Sequence, residues 1–200
     1  MMSTRRAFPP LLGLLLSVGV FAVWACTPQR PIAPLNGAVL EPPTSLPSLT
    51  FTRSDGSSFT TYETRGRTSL FFFGYTHCAD VCPLTLAELA QLRRSLGSKA
   101  QKVDIYFVTL DPSRDTVERV QTYVANFPGV IGLVGSDSEL ARAQVSFNVL
   151  SQRREIGNGD YLLDHTAATY LVNAGSEIQL AYPYGTPPDD VLSDLQSILQ

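Results

Sequence analysis

The run Leu70-Phe71-Phe72-Phe73, inside Thr68–Tyr75, constrains this chain more than any other segment. Consecutive apolar side chains point alternately to the two faces of a strand, so neither face here is left for water. Such a strand suits the middle of a sheet that is covered on both sides. The phenylalanines are core residues.

The segments that follow supply the covering layers. Pro83–Leu96 is predicted as a helix, with Leu86, Leu89, Leu92 and Leu96 on one face, Pro83 in the first turn and Gly97 at the end. Val103–Leu110 is a second central strand. Asp115–Phe127 is a helix with Val117, Val120, Val124 and Phe127 inward, and Asp115 with Glu118 makes a capping pattern at its start. Val130–Val134 is a short strand, and Ser136 and Glu139 open a helix carrying Leu140, Ala143 and Phe147. Thr169–Val172 and Ile178–Tyr182 flank the turn Asn173-Ala174-Gly175-Ser176, and Thr186-Pro187 opens a last helix through Val191, Leu195 and Ile198. Upstream, Leu49–Arg53 and Ser58–Tyr62 flank Ser54-Asp55-Gly56-Ser57, the signal of a hairpin. This order predicts an α/β fold around a mixed sheet. It is the order of a thioredoxin-like fold with an N-terminal β-hairpin and inserted elements.

Residues 1–25 read as an export signal, with Arg5 and Arg6 before the apolar run Leu11–Ala25. That run is short for a membrane span, which takes about 20 residues. Val23-Trp24-Ala25-Cys26 resembles a bacterial lipoprotein cleavage site, which implies lipid on Cys26, although Trp24 departs from the small residue usual there. Thr4-Arg5-Arg6-Ala7-Phe8 also resembles a twin-arginine signal. The competing reading is an uncleaved anchor helix. Either one places the folded part outside the cytoplasm, attached to a membrane. Residues 26–48 hold Pro28, Pro31, Pro34, Pro42, Pro43 and Pro47 and are expected to be a stiff tether, with the domain proper spanning 49–200.

The net charge is -3, and removing residues 1–25 leaves 13 basic against 18 acidic side chains. A mildly acidic domain without a basic stripe argues against nucleic acid as a partner. The chain has 3 cysteines. Cys26 sits at the end of the leader, and Cys78 and Cys82 sit together, which is the pattern of a site rather than of a cross-linked scaffold.

Cys78 and Cys82 lie in Gly74-Tyr75-Thr76-His77-Cys78-Ala79-Asp80-Val81-Cys82-Pro83, between the buried strand and the helix. Ligand sites gather at such strand ends. A helix start stabilises negative charge, and the thiolate is the form that attacks disulfides or binds metal. The spacing alone allows either a disulfide or a chelated soft ion. Two inert core cysteines are the bland alternative. Of the 2 histidines, His77 reads as a solvated neighbour of Cys78. His165, taken by itself, reads as a polar loop residue. Asp111 and Asp115 read as a loop turn and a helix N-cap, and Asp164 as an orienting group or a turn cap. Arg153 and Arg154 read as a solvated strand face rather than a contact for an acidic partner.

Tyr75-Thr76-His77-Cys78-Ala79-Asp80-Val81-Cys82-Pro83 resembles the signature of the SCO/SenC family of copper chaperones, with Ala79 where many members have proline. Asp111-Pro112-Ser113-Arg114-Asp115-Thr116 and Asp164-His165-Thr166, followed by Tyr170-Leu171, resemble the family's second and third motifs, in order. The resemblance covers about Leu49 to Gln200. It implies a thioredoxin-like fold and one copper ion per chain, held by Cys78, Cys82 and His165. It also implies delivery to the dinuclear copper site of cytochrome c oxidase, directly or through another periplasmic copper carrier. Two thiolates and an imidazole suit Cu(I), and thiolates also stabilise Cu(II). Copper binding is expected to order the Gly157-Asn158-Gly159-Asp160 loop before His165.

The competing function is that of an enzyme: a thiol-disulfide oxidoreductase using Cys78 and Cys82 as its catalytic pair to reduce the cysteines of the oxidase site. Three intervening residues are wider than the usual redox spacing, and disulfide exchange has no use for His165. A peroxidase reading is weakened by Tyr75 and Ala79, which stand where that chemistry calls for threonine. By ligand type alone, zinc would also fit such a set, with one open position.

Overall fold

The computed structural model describes residues 35–199; the predicted leader, Cys26 and the first part of the tether lie outside them. In chain order the elements are β1 (Ala38–Ser45), β2 (Thr50–Arg53), β3 (Ser58–Thr60), β4 (Thr68–Gly74), α1 (Val81–Ser95), β5 (Val103–Thr109), α2 (Val117–Val124), β6 (Val130–Val134), α3 (Asp137–Phe147), β7 (Ser151–Gly157), β8 (Asp160–His165), β9 (Ala168–Val172), β10 (Glu177–Pro183) and α4 (Pro188–Ile198). All but β7 and β8 of the strands join one 8-stranded sheet in the order β1-β10-β9-β4-β5-β6-β2-β3. β4, β5 and β6 run parallel, and β9 and β2 close on them antiparallel, which makes the mixed α/β sheet that the sequence predicts.

β4 is buried at every position, and the alternation of its side chains divides the core in two. Leu70 and Phe72 join Ile105 and Phe107 under α1, α2 and α4, against Leu86, Val120 and Leu195. Phe71 and Phe73 join Tyr106, Val108 and Phe147 on the other face, under α3 and beside Phe51 and Phe59 of the β2–β3 hairpin. Each fully buried phenylalanine or leucine contributes roughly 1.5–3 kcal/mol relative to an exposed one. The unbroken apolar run is therefore what lets one strand serve two cores.

The tether is shorter than expected. Ala38–Ser45, inside the proline-rich stretch 26–48, pairs with β10 as an edge strand. The register shifts between Val39 and Thr44, around Pro42 and Pro43. Proline lacks the N–H that a central strand would need, and an edge strand with an irregular ladder tolerates it. The entry to β1 is also fixed: buried Asp194 of α4 accepts hydrogen bonds from the backbone N–H groups of Asn36 and Gly37, at 2.9 and 3.0 Å.

Two further expectations shift. α2 is capped by Thr116, whose hydroxyl accepts from Arg119 N, and not by Asp115. Asp115 is instead fully buried. The stretch 151–165, expected to contain a mobile loop, is a two-stranded hairpin, β7 paired with β8. Asn158 and Gly159, with φ of 56° and 78°, form its turn. Asn-Gly is the pair that such tight turns favour, because both positions need positive φ.

Candidate metal centre

Topology brings the three sequence motifs to one end of the sheet. β4 and β5 are parallel neighbours, with Gly74 opposite Thr109, so the Cys78–Cys82 loop and the Asp111–Asp115 loop leave side by side. β9 runs the other way beside β4, with Thr169 opposite Phe72, so the residues just before β9 arrive at the same end. His165 is one of them.

The thiol loop is held from below and from the side. A Cβ on Gly74 would stand 2.8 Å from Cys82 Sγ, so only glycine leaves room for the sulfur against the end of β4. Asp115 accepts from Thr76 N at 2.9 Å, from Thr76 Oγ1 at 2.5 Å and from Thr109 Oγ1 at 2.6 Å. Cys82, in the first turn of α1, is fully buried, and Cys78, before the helix, is half-buried. The Cys82 backbone N–H points at Cys78 Sγ, 3.5 Å away.

The two thiols are pushed in opposite directions. The Cys82 thiol donates to Cys78, and with contacts from His165 and backbone N–H groups this holds the Cys78 thiol down at about 3, against the opposing effect of burial. The same hydrogen bond, reinforced by burial, pushes Cys82 strongly upward. The free N–H groups of a helix start favour a thiolate at Cys78 for the same electrostatic reason.

His165 comes from the last position of β8. Its Nε2 lies 3.7 Å from Cys82 Sγ, and its Nδ1 is 3.0 Å from Thr166 O. With Nδ1–H given to that carbonyl, Nε2 is left as the free donor. Tyr75 and Phe72 present edges or faces to the ring at centroid distances of 6.0 and 6.5 Å. An ion with bonds of about 2.3 Å to sulfur and about 2.0–2.1 Å to nitrogen needs those two atoms roughly 3.5–3.8 Å apart at tetrahedral to trigonal angles. The Cys82–His165 separation satisfies this. Among the described residues no three His, Cys, Asp or Glu side chains stand close enough together to hold an ion as they are; the approach within bonding reach of a shared ion is that of Cys82 and His165.

The structure therefore sets Cys78 and His165 each beside Cys82 and turns His77 elsewhere. His77 is partly exposed, with Nε2 3.5 Å from Arg119 Nη1 and Nδ1 3.7 Å from Asp115 Oδ1. Asp164 points away and pairs with Arg154 at 3.0 Å on an exposed face. Arg153 was expected to be simply solvated, but its guanidinium lies 3.6 Å from the centre of the Tyr161 ring. Asp111 exceeds the expected loop turn: it accepts from Tyr161 Oη at 2.6 Å and from Arg114 Nε at 2.6 Å. Tyr161 has no signal in the sequence and Arg114 only its place in the second motif, because their role depends on the hairpin folding back over a loop from another strand.

Comparison with known proteins gives a consistent picture. The SCO1/SenC family model matches residues 40–200. The mitochondrial protein SCO1 homolog 1 of Arabidopsis thaliana is 36% identical over 148 residues, 71% of this chain and 43% of that protein. The chain thus spans less than half the length of that relative. The structure of Bradyrhizobium japonicum ScoI with copper bound superposes with a TM-score of 0.72 at 33% identity, covering 77% of this chain and 99% of that one. BsSco, described as having a disulfide switch and as a member of a family of cytochrome c oxidase assembly proteins, superposes with a TM-score of 0.66 at 26% identity, covering 82% of this chain and 96% of that one.

Proposed function

Because this chain belongs to the SCO1/SenC family, and because its own fold brings an imidazole to the thiol loop at one sheet end, we propose that it is a copper metallochaperone. Cys78, Cys82 and His165 hold one copper ion, and the copper-bearing subunit of cytochrome c oxidase receives it. The observation that carries this reading is the 3.7 Å approach of His165 Nε2 to Cys82 Sγ, beside a Cys78 already disposed to ionise. Soft sulfur donors favour Cu(I) over hard divalent ions and also accommodate Cu(II). Three protein donors leave a side of the ion open, so an incoming thiolate can take it by exchange, whereas a closed four-donor site would retain it. The half-exposed Cys78 is the donor on that open side.

The proposal keeps the domain outside the cytoplasm, attached to the membrane by lipid on Cys26 after removal of residues 1–25. Delivery runs to that subunit directly or through another periplasmic copper carrier. The test is a Cu(I) competition titration of the reduced chain, followed by mixing with the apo copper domain of the oxidase subunit. One tight copper per chain that moves to the oxidase domain supports the reading. A chain that takes no copper in the presence of a moderate competitor rejects it.

One observation favours a second activity. A half-exposed Cys78, its thiol shifted down, beside a fully buried Cys82, its thiol shifted up, has the polarity of an attacking and a resolving thiol. A thiol-disulfide oxidoreductase would use it to reduce the oxidase cysteines before metal arrives. Reductase activity that survives His165→Ala would establish that role separately.

A further inference from the structure

We infer that Tyr161 is a positioning residue for the His165 donor: it latches the β7–β8 hairpin to the same five-residue loop, Asp111–Asp115, that holds the thiol loop. This rests on the copper reading for its consequence, though not for the latch itself.

On β8, alternate residues share a face, so Tyr161, Leu163 and His165 point the same way. Tyr161 is only 7% exposed, although all of β7 is exposed. Its hydroxyl donates to Asp111 Oδ1 at 2.6 Å. Its ring lies between two guanidinium groups, Arg114 at 3.5 Å from the loop and Arg153 at 3.6 Å from β7. Arg114 adds direct bonds to the hairpin, from Nη1 to Asp160 Oδ1 at 2.8 Å and to Tyr161 O at 2.9 Å. The same arginine pairs with Asp111 at 2.6 Å. Leu163 packs on the core, and His165 then meets Cys82.

The hairpin makes its own two-stranded sheet and, among the described residues, shares no ladder with the large one. A two-stranded hairpin alone is marginal in water. Beyond the two-residue link from His165 to β9, this set of side-chain contacts is what holds the histidine end beside the thiols. Asp111 grips the hairpin, and Asp115, four residues on, grips Thr76 of the thiol loop. One short loop is the common footing of donors that are 83 residues apart in sequence.

The test compares Tyr161→Phe with Tyr182→Phe. Tyr182 donates a similar buried hydrogen bond, to Asp194 at 3.1 Å, and serves as the control for loss of a tyrosine hydroxyl. Amide hydrogen exchange of the apo chain should show protection of residues 151–165 falling by about tenfold in Tyr161→Phe, the weight of one hydrogen bond to a charged acceptor. Protection of β4 and β5 should be unchanged, and Tyr182→Phe should leave the hairpin as it was. Hairpin protection unchanged in Tyr161→Phe overturns the latch, whatever the protein does with metal. In the copper arm, Cu(I) affinity should fall by a similar factor in Tyr161→Phe alone. The sulfur-to-Cu(II) charge-transfer band of the loaded variant should keep its position, because the donors are the same. A loosened hairpin with full copper affinity overturns the positioning role. Absence of copper binding by the unaltered chain defeats the chaperone reading and the positioning role, while the exchange result still decides the latch.

Discussion

Cys82 Sγ and His165 Nε2 lie 3.7 Å apart although the residues are 83 positions apart in the chain. The antiparallel entry of β9 beside β4 accounts for the approach, and no local sequence pattern does. The consequences can be tested one group at a time.

Replacing a donor should cost far more than replacing its neighbour. His165→Ala and Cys78→Ser are each expected to weaken Cu(I) binding by more than about 100-fold, beyond the 10–100-fold typical of supporting groups. His77→Ala should change it by less than about threefold, since His77 turns toward Arg119. Competition with a Cu(I) chelator of known affinity measures all three.

The unequal thiols set a pH dependence for the reduced, metal-free chain. Cys78 is held near 3 in the fold and returns to about 8.5 on unfolding, so its contribution to stability is complete above about pH 8.5 and fades as pH falls toward 3. Cys82 is raised in the fold, so its contribution has the opposite sign and is lost as pH rises beyond the unfolded value. Urea unfolding under reductant should show Cys78→Ser losing the pH-dependent gain between pH 4 and 8. Alkylation of Cys78 by iodoacetamide should stay fast down to about pH 4. A reactivity that titrates near pH 8.5 would contradict this.

Gly74→Ala places a methyl group 2.8 Å from Cys82 Sγ and 3.0 Å from the Phe107 ring. Overpacking of this kind costs about 1–3 kcal/mol. Chemical denaturation should show that loss, and Cu(I) affinity should fall with it because the sulfur must move.

Asp115→Ala removes the acceptor for Thr76 N, Thr76 Oγ1 and Thr109 Oγ1 in a fully buried position. Stranding these donors should cost about 3 kcal/mol or more. Exchange protection should be lost first in the loop 75–80.

Much of the fold can be read from side-chain spacing. Leu86, Leu89 and Leu92, and Leu140, Ala143 and Phe147, have helical periodicity and are buried as it predicts. Thr116 rather than Asp115 caps α2 because Asp115 has three donors waiting in the thiol loop and at the end of β5, which are invisible in a local pattern. The β7–β8 hairpin carried a signal in Asn158-Gly159, but its polar, exposed strand β7 lacks the apolar alternation that marks a sheet face. The proline count of residues 26–48 concealed β1 because an edge strand asks for few backbone donors. The thiol pair was legible from spacing and context; His165 became a candidate only through its motif, and the chain's topology supplies the reason.

The prolines of β1 also decide what the sheet can become. The two borders of the large sheet are β1, interrupted at Pro42-Pro43, and β3, only three residues long. A neighbouring molecule seeking to add its own strand finds missing donors at one border and too short a template at the other. Lateral growth into cross-β aggregates is thereby discouraged even when many copies are packed together.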